Sequence, residues 1–334
     1  MNIAIIGATG NVGRKLLEVI EKINFKFSEL YLIASDQSIG KKINFKNKEY
    51  SIIGLSDFDF AKVQIAFFSA GSSIAQKWAP IAAKKTIVID NSKYFRMDKD
   101  VPLVVPEVNP LSLEQYKNKN IIANANCSTI QLVLALKPLH DLFKIKRVVT
   151  STYQSVSGGG KNHMIELEEQ TKSILEKKKV KSKNFTKQIA FNVIPHIDSF
   201  MDDGSTKEEW KMVVETKKIL DSNINLTATC VRVPVFVGHS ESVNIEFSNN
   251  MDLEKIKHCL ASAPGCKVID EHKDGGYITP AEIDGDFITY ISRIREDTTQ
   301  KNSINMWVVS DNLLKGAALN AVQIAQLLCE KYIN

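Results

Sequence analysis

Along the first third of the chain, short apolar runs alternate with stretches whose apolar residues recur every three to four positions. Asn2–Ile6 is one such run. It leads into Gly7-Ala8-Thr9-Gly10-Asn11-Val12-Gly13, after which Leu16, Leu17, Val19, Ile20 and Ile23 follow at helical spacing. This order reads as strand, glycine turn and helix. Leu30–Ala34, Ile65–Ser69, Ile87–Asp90 and Ile121–Ala123 are further buried-strand candidates, with a helix predicted over Ser73–Lys84. Short strands alternating with helices predict an α/β, doubly wound parallel sheet.

The pattern changes after Cys127. Ser128–His140 reads as a helix that closes the first domain. From Arg147 the strands lengthen and alternate, over Val148–Gln154, Thr227–Val233, Ser242–Phe247 and Phe287–Arg295. Alternation of that kind fits a mainly antiparallel sheet, so the second domain is expected to be α+β. Charged helices are predicted over Asn162–Lys179 and Thr206–Leu220. Asn312–Tyr332 reads as one strong helix, expected to pack back on the first domain. The division that follows is residues 1–127 completed by 313–334, and residues 128–312.

Composition narrows the class. A chain of 334 residues is long enough for two domains with real cores. The net charge of +5 is small, and its densest run, Lys177, Lys178, Lys179, Lys181 and Lys183, reads as a solvated helix end rather than a nucleic-acid patch. The five cysteines, Cys127, Cys230, Cys259, Cys266 and Cys329, form no CxxC pair, which argues against a zinc site or a disulfide framework. No signal-peptide pattern and no long apolar run occurs, so a reducing, cytoplasmic setting is expected.

A strand feeding a glycine turn and a helix N-terminus is a phosphate cradle, because the turn lets the backbone approach and the helix dipole attracts the anion. A dinucleotide-binding, Rossmann-like first domain is therefore expected, with Gly7, Thr9, Gly10, Asn11 and Val12 at the pyrophosphate. The second strand ends in Ser35-Asp36-Gln37-Ser38. Ser35, Gln37 and Ser38 can meet a 2′-phosphate, with Lys41 and Lys42 nearby, whereas Asp36 opposes it. NADP is favoured over NAD on this balance.

Asn124-Ala125-Asn126-Cys127-Ser128-Thr129 links a short strand to an apolar helix. A thiol at a helix N-terminus ionises more readily than the ordinary cysteine, whose pKa is about 8.5. Backbone N–H groups of the same turn can hold an oxyanion formed when the thiolate attacks a carbonyl. The other four cysteines lie on apolar or helical stretches and read as structural.

Taken in order, the blocks GATGNVG (from Gly7), DNSKYFRMDKDVPLVVPEVN (from Asp90), NCSTIQ (from Asn126), TYQSVSGGG (from Thr152), FNVIPHIDSF (from Phe191), EEWKMVVETKKIL (from Glu208), VRVPVFVGHSESV (from Val231) and KGAALNAVQIA (from Lys315) resemble those of the aspartate-semialdehyde dehydrogenases. The resemblance spans nearly the whole chain. It departs at Ala125, where the family usually has Pro, and at Gln37, where many bacterial relatives have Arg.

The resemblance implies a reaction that is phosphate-dependent and uses NADP, converting aspartate 4-semialdehyde to 4-aspartyl phosphate, in the route to lysine, threonine and methionine. It implies Cys127 as nucleophile and His239 as acceptor of the hydroxyl proton when hydride leaves. It implies Arg232 on the α-carboxylate, Glu208 on the α-ammonium, Gln154 and Asn126 orienting the substrate, and Arg96 and Lys211 at phosphate. Ser157 and Gly158 are expected near the cofactor, Asn312 at its nicotinamide, and the second-domain sheet in a homodimer. Nucleic acid and membrane are not expected partners. An N-acetyl-glutamyl-phosphate reductase is the nearest rival enzyme, but its acylated substrate would leave Glu208 without an ammonium. A non-catalytic dinucleotide sensor has no use for both Cys127 and His239.

Overall fold

The computed structural model describes residues Met1–Ile333. The chain divides into two units, Met1–Ala125 with the segment from Ala317 onward, and Asn126–Gly316.

In the first unit, β1 (Ile3–Ile6) leads into α1 (Asn11–Lys22), then β2 (Leu30–Ala34), β3 (Lys42–Phe45), β4 (Lys48–Gly54) and β5 (Ile65–Phe68). After α2 (Ser72–Ala82) come β6 (Ile87–Asp90), β7 (Leu103–Val104) and β8 (Ile121–Asn124). The eight strands run in the order β3-β4-β2-β1-β5-β6-β8-β7. Every pairing is parallel except β3 with β4. Every residue of β1, β5 and β8 is buried, as a parallel sheet covered on both faces demands. Helix α1 lays Leu16, Leu17, Val19 and Ile20 inward, and a C-terminal helix (Leu319–Lys331) packs beside it through an apolar face of Leu319, Val322, Ile324 and Leu328. The Asn312–Tyr332 stretch is thus not one helix: Leu314–Ala318 is a π turn.

The glycine turn is built by sterics. Gly7 has φ +89°, and a Cβ there would stand 2.7 Å from the Ser69 carbonyl oxygen. A Cβ on Gly13 would stand 2.2 Å from the Gly7 oxygen, so α1 can start this close to β1 only without a side chain.

The second unit opens with α3 (Cys127–Phe143), followed by β9 (Ile145–Gln154), α4 (Lys161–Leu175), α5 (Lys207–Ile219), β10 (Asn225–Arg232) and β11 (His239–Phe247). Then come α6 (Leu253–Ala261), β12 (Cys266–Val268), β13 (Thr289–Glu296) and β14 (Ser303–Ser310). The sheet order is β10-β9-β11-β14-β13-β12. It is mainly antiparallel, but β9–β10 and β12–β13 are parallel. The first exception follows from chain length, since the segment joining β9 to β10 carries α4 and α5 and can cross over.

Helix α3 does not close the first domain. Its Leu132, Leu136, Leu139 and Phe143 join Val148, Val243, Ile245, Met212, Ile256 and Val308 in the core of the second unit. A second cluster, of Val156, Leu167, Ile189 and Ile194, anchors the irregular loop after α4. Buried Glu166 and Gln170 fasten that loop by accepting from the backbone N–H groups of Lys183, Asn184, Ile189 and Ala190. The lysines from 177 to 183 named above are all exposed.

Candidate active site

Cys127 is the first residue of α3, and Asn126 is its N-cap. The Asn126 Oδ1 accepts from the backbone N–H groups of Ser128 (3.0 Å) and Thr129 (3.2 Å), the preferred way of satisfying a helix start. Its Nδ2 donates to Glu208 Oε1 at 2.9 Å, and its backbone N–H donates to Glu215 Oε2 at 2.6 Å. Both side-chain atoms are therefore engaged within the protein, fixing the cysteine turn against α5. Gly316 packs on the other side, where a Cβ would stand 2.8 Å from Cys127 Cβ.

Helix α5 begins with a capping box in which Thr206 and Glu209 bond each other's backbone N–H groups. That start sets Glu208 and Lys211 one turn apart and facing the same way. The Lys211 ammonium bonds Glu208 Oε2 at 2.7 Å and Asp198 Oδ2 at 2.8 Å. Glu208 Oε1 also accepts from Gln154 Nε2 at 3.3 Å. Burial alone would raise the Glu208 carboxyl, but Lys211, Asn126 and Arg232 together hold it down at about 2. Arg232 ends β10 opposite Gln154 of β9, and its Nη1 donates to the Ser155 carbonyl at 2.6 Å. The guanidinium feels the charge of both Glu208 and Cys127. Beside it, a cavity of about 230 Å³ is lined by His163, Asn184, Phe185, His196, Asp198 and other residues. His163 therefore shares a pocket wall with Arg232.

His239 opens β11 and is fully buried. The Ser155 backbone N–H donates to its Nδ1 at 3.1 Å, and the Ser155 Oγ lies 3.1 Å from the same atom. The Asn312 Oδ1 accepts from Ser155 Oγ (3.0 Å) and from the Gly238 N–H (2.9 Å), while its Nδ2 donates to Ser157 Oγ (2.9 Å). Asn312, expected at the nicotinamide, thus has its carboxamide turned into the loops that hold His239. The Nε2 of His239 has no protein partner. It points toward Gly158, where a Cβ would be 3.3 Å from Nε2 and 3.1 Å from Arg232 Nη1. Burial, then the Arg232 charge, lowers the imidazole to about 3, so the ring is neutral near pH 7.

In the first unit, a cleft of about 610 Å³ opens at the carboxyl ends of β1, β2 and β5, where the strand order reverses. Gly7, Thr9, Gly10, Ser35 and Asp36 line it, together with Ser56, Lys77 and Trp78, which the sequence did not single out. Asn11 and Val12 are the first residues of α1. Gln37 and Ser38 are not among the lining residues, and Ser38 is buried. The helix start and the steric demands at Gly7 and Gly13 suit the phosphates of a dinucleotide. Arg96 also belongs to this unit; it is buried, beside Asp90, and donates to the Asn91 carbonyl at 3.1 Å.

Ser155, Gly316 and the buried Glu241 escaped the sequence reading, although all three sit inside quoted blocks. Nothing in their residue types separates them from ordinary packing. Of the other cysteines, Cys230 is buried with its thiol pushed up, and Cys259, Cys266 and Cys329 are half-buried. No helix among the described residues is long and apolar enough to cross a membrane.

Residues 2–116 match the NAD binding domain of semialdehyde dehydrogenases, and residues 136–315 match their dimerisation domain. The chain is 51% identical to the aspartate-semialdehyde dehydrogenase of Rickettsia bellii, over 99% of this chain and 98% of that protein. Its fold superposes with a TM-score of 0.97 on the crystal structure of aspartate semialdehyde dehydrogenase II from Vibrio cholerae complexed with ASA, at 47% identity, covering 99% of this chain and 98% of that one. A Candida albicans aspartate semialdehyde dehydrogenase crystallised with NADP gives a TM-score of 0.76 at 27% identity, covering 100% and 99% of the two chains. The chain belongs to the aspartate-semialdehyde dehydrogenase family of oxidoreductases.

Proposed function

We propose that the chain interconverts L-aspartate 4-semialdehyde and L-4-aspartyl phosphate through a thioester on Cys127, with NADP and inorganic phosphate, in the cytoplasmic synthesis of lysine, diaminopimelate, threonine and methionine. The observation that carries this reading is the single cluster in which the cap of the Cys127 turn bonds Glu208, and Arg232 and His239 converge beside Gly158.

The Cys127 thiolate adds to the aldehyde carbon. Arg232 offers a planar fork to the α-carboxylate, and Glu208, already anionic, draws in the α-ammonium. Gln154 reaches the same carboxylate of Glu208 and so lies where it can orient the substrate. His239 directs Nε2 at the substrate oxygen. A nicotinamide, when bound, accepts the hydride. Phosphate then attacks the thioester and releases the thiolate. Lys211 and Arg96 keep their assignment to phosphate; of the two carboxylates on Lys211, Asp198 is the more exposed and is the one phosphate would displace. The Ser35 hydroxyl and Lys77 in the nucleotide cleft support NADP, against the opposing charge of Asp36. The relative crystallised with NADP supports it as well. Ser157 and Gly158 form the loop beside His239. A homodimer is expected through the dimerisation domain.

The test is a phosphate-dependent assay of aspartate semialdehyde against its N-acetyl-glutamyl counterpart, with NADP and NAD compared. Cys127→Ala is expected to lower turnover at least ~10³-fold while nucleotide binding persists. Full activity in that variant, or activity with the acylated aldehyde alone, refutes the reading.

A further inference from the structure

The turn that follows β2 brings no cation into the nucleotide cleft. Ser35 caps a short turn over Asp36–Ser38, and of these four residues only Ser35 and Asp36 line the cleft. Lys42 pairs with Glu49 at 2.5 Å across β3 and β4, and Lys41 is not a lining residue. The wall on the other side of β1 is α2, which follows β5. It supplies Ile74, Lys77 and Trp78, spaced three and four apart and so on one helix face. Lys77 is exposed, and its Nζ stands 5.5 Å from the centre of the Trp78 ring. Among the described residues that line the cleft, Lys77 is the only cation and Asp36 the only anion.

From this arrangement we infer that Lys77 of α2 reads the adenosine 2′-phosphate of NADP from across the cleft, and that Asp36 on the turn after β2 works against it. Other NADP sites commonly give the first task to an arginine close to the end of the second strand. The glycine turn and the start of α1 take the pyrophosphate, so the adenosine half runs toward the carboxyl end of β2. Ala34, Leu55 and Ile74 supply apolar surface for its base, and the two opposite charges flank them. A monoester phosphate carries a charge of about −1.5 to −2 near neutral pH. Lys77 attracts that charge and Asp36 repels it. NAD offers two ribose hydroxyls in the same place, which a carboxylate can accept and an ammonium does not need. Lys77 therefore favours NADP alone, whereas Asp36 favours NAD and disfavours NADP. The inference rests on the nucleotide reading of this cleft, as proposed above.

Isothermal titration of the full-length protein with NADP and with NAD, without aldehyde or phosphate, reads binding apart from turnover. Lys77→Met keeps an apolar stem beside Trp78 and removes the charge. It is expected to weaken NADP about tenfold or more and to leave NAD within about twofold. Lys77→Arg keeps the charge and is expected to bind NADP as the wild type does. Asp36→Asn is expected to tighten NADP about threefold or more and to weaken NAD. Added salt should weaken NADP more steeply than NAD in the wild type, and Lys77→Met should narrow that difference. A lysine with a merely structural role would not change the salt response.

Wild-type affinity for NADP in Lys77→Met overturns the inference, as does a loss shared equally by NADP and NAD. NADP affinity unchanged or reduced in Asp36→Asn overturns the opposing role of Asp36. If the wild type binds neither nucleotide, the nucleotide reading of the cleft fails instead, and the two failures are distinct.

Discussion

Glu241 carries both carboxyl oxygens, fully buried, into the second-unit core. It lies two residues beyond His239 on β11, and Gln131 of α3 faces it, four residues beyond Cys127. Burial pushes the carboxyl well above its ordinary 4.5, against a weaker opposing pull from the Gln131 carboxamide. The native state therefore keeps a proton that the unfolded chain gives up as pH rises past that ordinary value. With more protons bound in the native state, stability falls as pH rises. Glu241→Gln removes this dependence, so its gain in unfolding free energy over the wild type should grow as pH rises above about 5, by up to about 1.4 kcal/mol per pH unit, and its Tm advantage with it. A Tm difference that does not vary with pH would mean that the carboxyl is ionised in the native protein. At this scale the sequence made Cys127 and His239 legible, because their motifs carry reactive groups. It left Glu241 and Ser155 illegible, because the features that matter are deep burial and a backbone N–H.

Local chemistry predicted the long elements well and their company less well. The Thr206–Leu220 helix was predicted, and the structure places it at Lys207–Ile219 with Thr206 as N-cap. Strand β14 and helix α6 were not singled out; α6 buries only Ile256 and Leu260, too narrow a stripe to stand out. The final helical stretch looked continuous because Leu and Ala favour either turn, yet it opens into a π turn at Leu314–Ala318, the kind of insertion that recurs at functional sites. Gly316 in that turn touches Cys127. Gly316→Ala should displace the thiol, lowering kcat about tenfold or more for a shift well under 1 Å in scale. It should also cost about 1–3 kcal/mol by overpacking. An unchanged kcat, with denaturation showing no loss, would mean the turn moves aside freely.

For the molecule as a whole, one face of the second-unit sheet packs on helices, and among the described residues the other carries exposed side chains. On β9, Val148, Thr150, Thr152 and Gln154 are buried, while Tyr153 is 38% exposed. The Tyr153 and Trp307 rings pack 5.4 Å apart on that open face. This open face is where the homodimer proposed above would pair, in keeping with the dimerisation-domain match. Trp307→Lys is expected to convert a dimer at micromolar concentration to monomer in sedimentation velocity; a dimer that persists unaltered would move the interface elsewhere.

The sequence by itself determined the glycine turn between strand and helix, the change from parallel to mainly antiparallel sheet and the cysteine at a helix start that the proposed reaction uses. Each of these is written in neighbours a few residues apart, through side-chain period and the steric needs of Gly7 and Gly13. Tertiary structure alone decided which core α3 packs into, that Asn126 bonds Glu208, and that the Ser155 backbone N–H meets His239. Those outcomes depend on partners distant in the chain, 84 residues apart for Ser155 with His239 and 82 for Asn126 with Glu208. Charge state and tautomer are set by what lies within about 3 Å in space, and no local pattern encodes it.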